Sequence, residues 1–331
     1  MNILIFEYIT GGGMVGQALP ATLVKEGEVM LNAIVCDLLD ISDVQVSTLR
    51  DYRLQACGQD MVEHVVTEDS NYTNIIDSVA EKIDALLIIA PESDGLLATL
   101  CNEYSGRDFL LLNSSTESVE LTSDKLKTFA YLNKFNIAQI PTYEINNVKC
   151  IESEKIIVKP IDGVGCENIY LINNKSSISE LLGSAEIYNY IVQPYIKGKS
   201  ASLCLLCWDG KCRILSANVQ NIKINSECLG LQGCNVNALD RDDFKRFSAD
   251  LIKTVPGLRG YVGVDIVITE DEIMLVEINP RLTTSYAGLR SACGINVADL
   301  ILKTFVNQGL PEFSIIDNSS VVINIGAEYA A

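Results

Sequence analysis

Two strand-like runs joined by a short acidic turn constrain this chain more than any other stretch. Residues 260–286 have the sequence GYVGVDIVITEDEIMLVEINPRLTTSY, with one apolar run from Tyr261 to Thr269 and a second from Glu272 to Asn279. The turn between them, Glu270-Asp271, is too short for anything but a hairpin. We therefore expect a largely buried β-ribbon here.

Three oxygen-bearing side chains of this ribbon are predicted to converge. Side chains alternate along a strand, so Glu277 and Asn279 share one face, and a hairpin can bring Asp265 beside them. A buried carboxylate without a partner is costly, which calls for a cation, and an all-oxygen set suits magnesium. Arg281, just beyond, could offer its forked donors to a phosphate. For this motif alone, the alternative is a half-exposed hairpin whose acids face water.

The length and charge of the chain limit its fold and its partners. The 331 residues suffice for two or three packed subdomains, and 48% hydrophobic against 21% charged residues indicates a globular protein. Lys and Arg number 25 against 43 Asp and Glu, a formal net charge of −18, which argues against nucleic acid or an anionic membrane as partner. An anionic substrate would need locally placed cations.

The N-terminus and the cysteines indicate a cytoplasmic protein. The chain enters a strand directly, and no run reaches the roughly 18 apolar residues of a membrane helix. Eleven scattered cysteines fit a reducing compartment better than a disulfide framework. Cys204 and Cys207 form a C-x-x-C, for which core packing is favoured over zinc. The single His64 argues against histidine-based catalysis. The oligomeric state stays open, with a homodimer as one option.

Residues 1–114 alternate short apolar strands with helical or irregular pieces, which predicts a small parallel α/β domain. The predicted elements are a strand at NILIFEY, a Gly-rich turn, a helix from about Val15 to Glu26, and strands at LNAIVCD, VQVSTLRD, ALLIIAPE and FLLLN. Ligands of such sheets gather at the carboxyl ends of strands. The candidate residues there are Glu7, Tyr8, Gly12 and the run Glu92 to Asp94. Alternatively, this run only begins the next helix with favourable first-turn acids.

The glycines after the first strand also allow a second interpretation. Residues 11–16, GGGMVG, match G-x-G-x-x-G, and Asp37 follows at about the spacing of a dinucleotide fingerprint. The signal is weak, because Tyr8, Ile9 and Thr10 separate the strand from the glycines. An NAD-dependent oxidoreductase is therefore the less favoured function.

Two lysines occupy positions suited to phosphate binding. Thr122-Ser123-Asp124 caps a helix that begins a new domain, and Lys125 sits in its first turn, where the helix dipole disfavours a cation without a ligand. A solvated lysine is the alternative. Lys159 ends an apolar strand before the loop Asp162-Gly163-Val164-Gly165-Cys166, whose backbone N–H groups could fold over a phosphate.

The remaining sequence predicts strands and helices around the ribbon. A strand leads into a linker from Gln193 to Gly198, and a two-stranded meander follows with its turn at Asp209-Gly210. Residues 240–255 form an amphipathic helix in this interpretation. Helices near 285–307 and a final strand, SVVINIG, complete the chain.

Four motifs resemble those of the ATP-grasp ligases over residues 114–326. They are T-S-D-K-L-K, I-I-V-K-P-x-D-G-x-G, V-Q-P-Y-I-K-G-K and G-V-D-I-x(9)-V-E-I-N-P-R-L, in this order. The resemblance implies an α/β and α+β fold, with an N-terminal Rossmann-like pre-ATP-grasp domain at 1–114 and two ATP-grasp subdomains at 115–190 and 191–331. ATP would lie between the two subdomains.

The resemblance also implies roles for nucleotide-binding residues. Lys125 and Lys159 would contact the phosphates and the adenine edge, and the loop with Asp162, Gly163 and Gly165 would cover the phosphates. Adenine and ribose would contact Gln193, Pro194, Tyr195, Ile196 and Ser200. Two of these depart from the family pattern, since Gln193 replaces a common acid and Ser200 a ribose-binding glutamate.

The metal site and the reaction follow from the same resemblance. Asp265, Glu277 and Asn279 would hold two Mg²⁺ ions, or Mn²⁺, with Glu277 bridging, and Arg281 would steady the transferred phosphoryl group. An arginine common in peptide-forming members is replaced by Gly263. A carboxylate would attack the γ-phosphate of ATP, and an amine would capture the acylphosphate to form an amide. Such a reaction needs positive charge and metal more than covalent catalysis.

Within the family, ILIFEYITGGGM, IIAPESDGLL and VEINPRLTTSYAGLR are most similar to the tyramine–glutamate ligase branch of methanofuran biosynthesis. That branch joins the γ-carboxyl of glutamate to tyramine. Arg281, Arg290 and the run Thr283, Thr284, Ser285 could grip the glutamate α-carboxylate, although Arg290 could equally be a surface residue. Residues 228–236, CLGLQGCNV, depart from the branch, which leaves the amine open. The alternatives are another amino acid or peptide substrate, or a nucleotide-binding protein without catalysis.

Overall fold

The computed structural model describes residues 1–331 except 59, 164, 166–167, 174–177, 179–188, 226–227 and 327–331. In that part of the chain, one five-stranded and one ten-stranded sheet form the framework. No helix within it combines the length and apolar character needed to cross a bilayer.

The first sheet is parallel and belongs to an α/β domain, as predicted. Its elements are β1 (Asn2–Glu7), α1 (Ala21–Leu39), β2 (Gln45–Asp51), β3 (Val62–Val66), α2 (Tyr72–Val79), β4 (Ala85–Ile89), α3 (Leu96–Tyr104) and β5 (Leu110–Leu111). The strand order β3-β2-β1-β4-β5 reverses direction between β1 and β4. The carboxyl ends of these two strands therefore flank the crevice where such sheets bind ligands.

The helix after the glycines corrects two predictions. The helix expected at 15–26 and the strand expected at LNAIVCD are wrong, because α1 runs without a break from Ala21 to Leu39. Pro20 precedes it with φ −65°, a value already suited to a helix start. The buried positions Leu31, Ile34, Val35 and Leu38 recur at helical spacing, so the apolar run is one face of a helix.

The second sheet is antiparallel and carries the ribbon. The remaining elements are α4 (Thr116–Ser123), α5 (Lys125–Leu132), β6 (Tyr143–Glu144), β7 (Ile156–Pro160), β8 (Ile169–Ile172), β9 (Tyr190–Pro194), β10 (Lys199–Trp208), β11 (Lys211–Asn225), β12 (Cys228–Val236), α6 (Asp243–Thr254), β13 (Gly260–Ile268), β14 (Ile273–Asn279), α7 (Tyr286–Cys293), α8 (Val297–Val306) and β15 (Val321–Asn324). Their order is β14-β13-β10-β11-β12-β8-β7-β9-β6, with β15 also on β12. Helices α2 and α4 and strands β3 and β12 were not predicted from the sequence.

Strand β9 bears on the predicted subdomain boundary at 190/191. It pairs with β7 and β6, so residues 190–194 belong with the strands that precede them. Gln193 and Pro194 are consequently strand residues, and the connection to β10 begins only at Tyr195. The prediction of a linker starting at Gln193 is therefore wrong by two residues.

The ribbon β13–β14 contains a β-bulge that decides which way its acids point. Ile266 pairs with Leu275, but the next pair is Asp265 with Glu277, so Val276 is an extra residue on β14. Without it, Glu277 would point to the opposite face from Asp265. The other face packs into an apolar core that includes Val264 and Ile278.

A buried carboxylate joins α1 to the second half of the chain. Tyr286 Oη donates to Asp37 Oδ2 over 2.7 Å, and Asn296 Nδ2 donates to the Asp37 carbonyl over 2.7 Å. Arg290 Nη1 lies 3.2 Å from Asp37 Oδ1. Apolar side chains of α1 and α7 share one core, so this polar cluster fixes the register of a packed interface.

We predict that Tyr286→Phe lowers the free energy of unfolding by about 1–3 kcal/mol, because the buried Asp37 carboxylate loses a donor that water cannot replace. Urea unfolding followed by circular dichroism measures the change. Tyr52→Phe is the control, since Tyr52 is 43% exposed and its hydroxyl binds Glu68 at the surface. Equal effects of the two substitutions would contradict the assignment.

Candidate active site

The three predicted oxygen-bearing side chains of the ribbon lie side by side. Asp265 is directly opposite Glu277, and Gly263 is opposite Asn279. Asn279 Nδ2 lies 3.3 Å from Asp265 Oδ2, and Gln220 Nε2 of β11 donates to Asp265 Oδ1 over 2.9 Å. The amides thus orient the Asp265 carboxylate, and the amide oxygen of Asn279 stays on the same face.

Both predicted lysines approach these acids from the preceding part of the chain. Lys125 Nζ lies 3.4 Å from Glu277 Oε2 and donates to the Gly163 carbonyl over 2.8 Å. Lys159, on β7, is 3% exposed, and its charge acts on both Asp265 and Glu277. Two cations, one from the start of α5 and one from β7, therefore face two carboxylates of the ribbon.

The electrostatics of the pair fit a cation-binding site. Burial, with the neighbouring charge of Glu277, raises the pKa of Asp265 to about 8. Burial acts in the same sense on Glu277, but Lys125 and Lys159 outweigh it and hold its pKa below the ordinary value. A divalent cation would favour ionisation of both acids. In the described part of the chain, no three His, Cys, Asp or Glu side chains cluster, so Asn279 would be the third ligand.

The glycine loop contacts the first domain as well as Lys125. Ser93 Oγ donates to the Asp162 carbonyl over 3.1 Å, and the Asp94 amide donates to Asp162 Oδ2 over 2.7 Å. Gly165 has φ +65°, which favours glycine. Val164 and Cys166 of the predicted loop lie outside the described residues. Asp162 therefore ties the loop to the segment after β4.

Arg281 is paired with an acid from the first domain. Its Nε and Nη2 lie 3.0 and 2.9 Å from Glu92 Oε2, and both side chains are largely buried. Glu92 Oε1 is buried without a hydrogen-bond partner among the described atoms. Glu92, predicted as a substrate residue, is thus the counterion of Arg281, and the guanidinium is held across the boundary between the two sheets.

Two adjoining cavities lie at this boundary. The ribbon cavity, of about 80 Å³, is lined by Glu26, Met30, Gly165, Gln220, Leu231, Cys234, Asp265, Glu277, Asn279, Arg281, Thr283, Thr284 and Ser285. The first-domain cavity, of about 340 Å³, is lined by Glu7, Tyr8, Ile9, Met14, Gln17, Leu23, Glu26, Gly27, Met30, Ile89, Ala90, Pro91, Ser93, Asp94, Leu96, Gly165 and Arg281. They share Glu26, Met30, Gly165 and Arg281, so they adjoin along these residues, and the two together are called the cleft.

Two predicted substrate residues lie away from this cleft. A Cβ on Gly12 would stand 2.4 Å from Val66 Cβ, so this glycine is required by close packing against β3. Arg290 binds Asp37 and Asp40 and lines neither cavity. Of the two predictions made for Arg290, a surface residue therefore fits better than a residue that binds the substrate carboxylate. Glu7 and Tyr8 do line the first-domain cavity, where burial raises the pKa of Glu7 although Thr10 donates to its carboxylate.

The predicted adenine contacts fall on or beside the end of β9. Gln193 is buried and donates to Thr142 Oγ1 over 2.8 Å, and the Tyr195 amide donates to the Lys155 carbonyl over 2.9 Å. The Gln193 side-chain amide and the Tyr195 backbone amide are therefore already engaged within the protein, and the adenine contacts at these positions stay a prediction. Ser200 pairs with Val267, two residues along β10 from the partner of Asp265.

Two alternative interpretations of the sequence are wrong. Asp37 lies inside α1 and binds Tyr286, so it cannot end the second strand of a dinucleotide fold. Cys204 and Cys207 are three residues apart on β10 and point to opposite faces, which prevents them from holding one zinc ion. Both are buried, as core packing predicts.

The sequence analysis missed Gln220, Glu26 and Met30. A signal existed for Gln220, because Ser216, Asn218 and Gln220 alternate with the apolar Ala217 and Val219 in the middle of β11. Such alternation places polar groups on one face. No comparable signal marked Glu26 or Met30, because the helix that presents them was placed wrongly.

Comparison with known proteins agrees with this geometry. A pre-ATP-grasp domain model matches residues 44–119, and an ATP-grasp domain model matches residues 122–285. The chain is 27% identical to a tyramine–L-glutamate ligase of Methanocaldococcus fervens, over 93% of this chain and 95% of that protein. It is 24% identical to the enzyme of the same name from Methanocaldococcus jannaschii, over 93% and 90% of the two chains.

A solved structure has the same fold along nearly the whole chain. It is a putative ATP-grasp protein from Archaeoglobus fulgidus, with a TM-score of 0.71 and 24% identity over 98% of this chain and 99% of that one. The pre-ATP-grasp match covers strands of the first sheet, and the ATP-grasp match that follows it covers most of the second sheet. The chain therefore belongs to the ATP-grasp superfamily and is an ATP-dependent carboxylate–amine ligase.

Proposed function

We propose that the chain joins the γ-carboxyl group of L-glutamate to the amino group of tyramine or a tyrosine-like amine. ATP would activate the carboxylate as an acylphosphate, and ADP and phosphate would be released. The observation that carries the proposal is that Lys125 and Lys159 approach Asp265 and Glu277, two acids that line the ribbon cavity. The two similar ligases from Methanocaldococcus support the choice of substrates.

We assign the divalent metal to the ribbon. Asp265, Glu277 and Asn279 would hold two Mg²⁺ ions, with Glu277 shared between them, and Mn²⁺ could substitute. When bound, the metal would neutralise the triphosphate and make its terminal phosphorus more electrophilic. The three side chains share one face of the ribbon, which supports this assignment.

The chain's own cations would position the phosphates. Lys125 and Lys159 would contact phosphate oxygens, and the glycine loop would cover them with its backbone N–H groups. Arg281 would stabilise the charge on the transferred group while Glu92 holds its guanidinium in place. Such preorganised charge is effective because it needs no reorientation during the reaction.

The carboxylate substrate would occupy the ribbon cavity. Thr283, Thr284 and Ser285 line it beside Arg281, which provides hydroxyl donors and a cation for the glutamate α-carboxylate. Leu231 and Cys234 also line it, and both belong to residues 228–236, which depart from the pattern of the tyramine–glutamate ligase branch. This placement favours, as a second candidate, a ligase for another amino acid or for a peptide carboxylate.

A substrate screen tests the proposed function. Purified chain is incubated with ATP, Mg²⁺ and L-glutamate plus tyramine, tyrosine or other amines, and ADP release and product mass are measured. We expect the fastest release with glutamate and tyramine, and a product in which the two are joined through the γ-carboxyl. Faster release with a different carboxylate would support the second candidate instead.

The ribbon acids are predicted to be essential for turnover. Asp265→Asn and Glu277→Gln should each lower the rate of ADP formation by at least about 100-fold, because each removes charge that positions the metal and the phosphates. Asp265→Asn should not lower the melting temperature, because burial disfavours that carboxylate, whereas Glu277→Gln should lower it, because buried Lys125 loses its carboxylate partner. Glu270→Gln, an exposed acid at the turn of the same hairpin, is the control. Full activity in either variant would refute the metal assignment.

Lys125 is predicted to bind ATP. Lys125→Met keeps most of the apolar stem but removes the ammonium group, so the KM for ATP should rise by about tenfold or more, as expected for a lost charged hydrogen bond. Lys127→Met on the same helix is the matched control, because that side chain is 72% exposed. The KM for ATP of both variants is measured by steady-state kinetics in which ATP is varied at saturating concentrations of the other substrates. An unchanged KM for ATP in Lys125→Met would argue against the assignment.

A further inference from the structure

We infer that the first-domain cavity receives the body of the amine and that Glu26, where this cavity meets the ribbon cavity, binds the ammonium group. The inference rests on the proposed function and extends it to the choice of amine. It assigns the cavity to primary amines that carry an apolar, ring-sized body and no carboxylate beside the amino group.

Glu26 stands at the junction between the two cavities. It lines both, together with Gly165 and Arg281. A Cβ built on Gly165 would lie 3.6 Å from Glu26 Oε2, so the carboxylate is next to the glycine loop. An ammonium group held at this point would therefore be beside the groups assigned to the transferred phosphate. The rest of the amine would extend away from the ribbon.

The charge of the first-domain cavity favours a cation. Among its described lining residues the acids are Glu7, Glu26 and Asp94, and the basic residue is Arg281, which pairs with Glu92 and also lies within electrostatic reach of Glu26. A substrate carboxylate beside the amino group would meet like charge at Glu26. Such repulsion selects an amine over the corresponding amino acid.

The walls of the first-domain cavity suit an apolar body. They include the side chains Tyr8, Ile9, Met14, Leu23, Met30 and Leu96. Its volume of about 340 Å³ is at the lower end for small-molecule sites. The α-carboxylate of glutamate would lie beside Thr283, Thr284 and Ser285, which line the ribbon cavity and not the first-domain cavity, so the two substrates would approach the junction from different sides.

Glu26→Gln tests the role of the carboxylate with two nucleophiles. Tyramine is a cation, so its binding would depend on the Glu26 carboxylate. Hydroxylamine is small and mainly neutral at the assay pH, so its binding would not. It traps an activated glutamyl group as a hydroxamate. We expect the KM for tyramine to rise by about tenfold or more, as for a lost charged hydrogen bond. Hydroxamate formation and the KM for ATP should stay within about twofold. Glu103→Gln, an exposed acid of the same domain, is the control.

The outcomes separate the inference from the proposed function. An unchanged KM for tyramine in Glu26→Gln overturns the inference while hydroxamate formation keeps the ligase activity intact. Parallel loss of amide and hydroxamate also overturns it, because Glu26 would then serve carboxylate activation. If the wild-type chain forms neither product from glutamate, the proposed function fails, and the inference fails with it.

A measurement on the wild-type chain does not depend on the folding of a variant. The kcat/KM values of tyramine, tyrosine and ethanolamine are compared at fixed glutamate and ATP. We expect tyramine to exceed tyrosine, which adds a carboxylate, and ethanolamine, which lacks the apolar body, each by about tenfold or more. Equal or better use of tyrosine or ethanolamine would overturn the assignment of the cavity.

Discussion

The candidate site depends on the direction in which one side chain points. A regular hairpin would place Glu277 on the face opposite to Asp265, inside the apolar core that contains Val264 and Ile278. The extra residue Val276 shifts the alternation by one position and returns Glu277 to the polar face. The bulge thereby creates a pair of adjacent carboxylates without exposing the apolar side of the ribbon.

Adjacent carboxylates in a partly buried cleft need opposite charge, and the fold provides it from outside the ribbon. Lys125 begins a helix whose N-cap, Asp124, accepts hydrogen bonds from two backbone amides. Its side chain leaves the first turn to reach Glu277, where the lost hydration is offset by the carboxylate and by the Gly163 carbonyl. Without the other, each of these two parts of the sequence would hold a poorly hydrated charge that has no partner of opposite sign. The ion pair between Lys125 and Glu277 therefore holds the two parts together.

The sequence predicted the ribbon, its acids and the two lysines because their signals are local. Strand alternation, a two-residue turn and a capped helix are each visible within about ten residues. The position of α1 was not predicted, since its apolar run is short enough to suit a strand or a helix. The Glu92–Arg281 pair could not be predicted either, because it joins residues 189 positions apart. Ion pairs of that kind are set by the packing of whole domains.

Helix α1 links the packing of the molecule to the proposed choice of substrate. Its C-terminal half is fixed by Asp37, whose carboxylate is bound by Tyr286 of α7. Its N-terminal half presents Glu26 and Met30 to both cavities. Eleven residues separate Glu26 from Asp37, about three turns of helix. A rigid helix of this length transmits its position from one end to the other, so the contacts that join the two sheets also set the distance between the first-domain cavity and the ribbon acids.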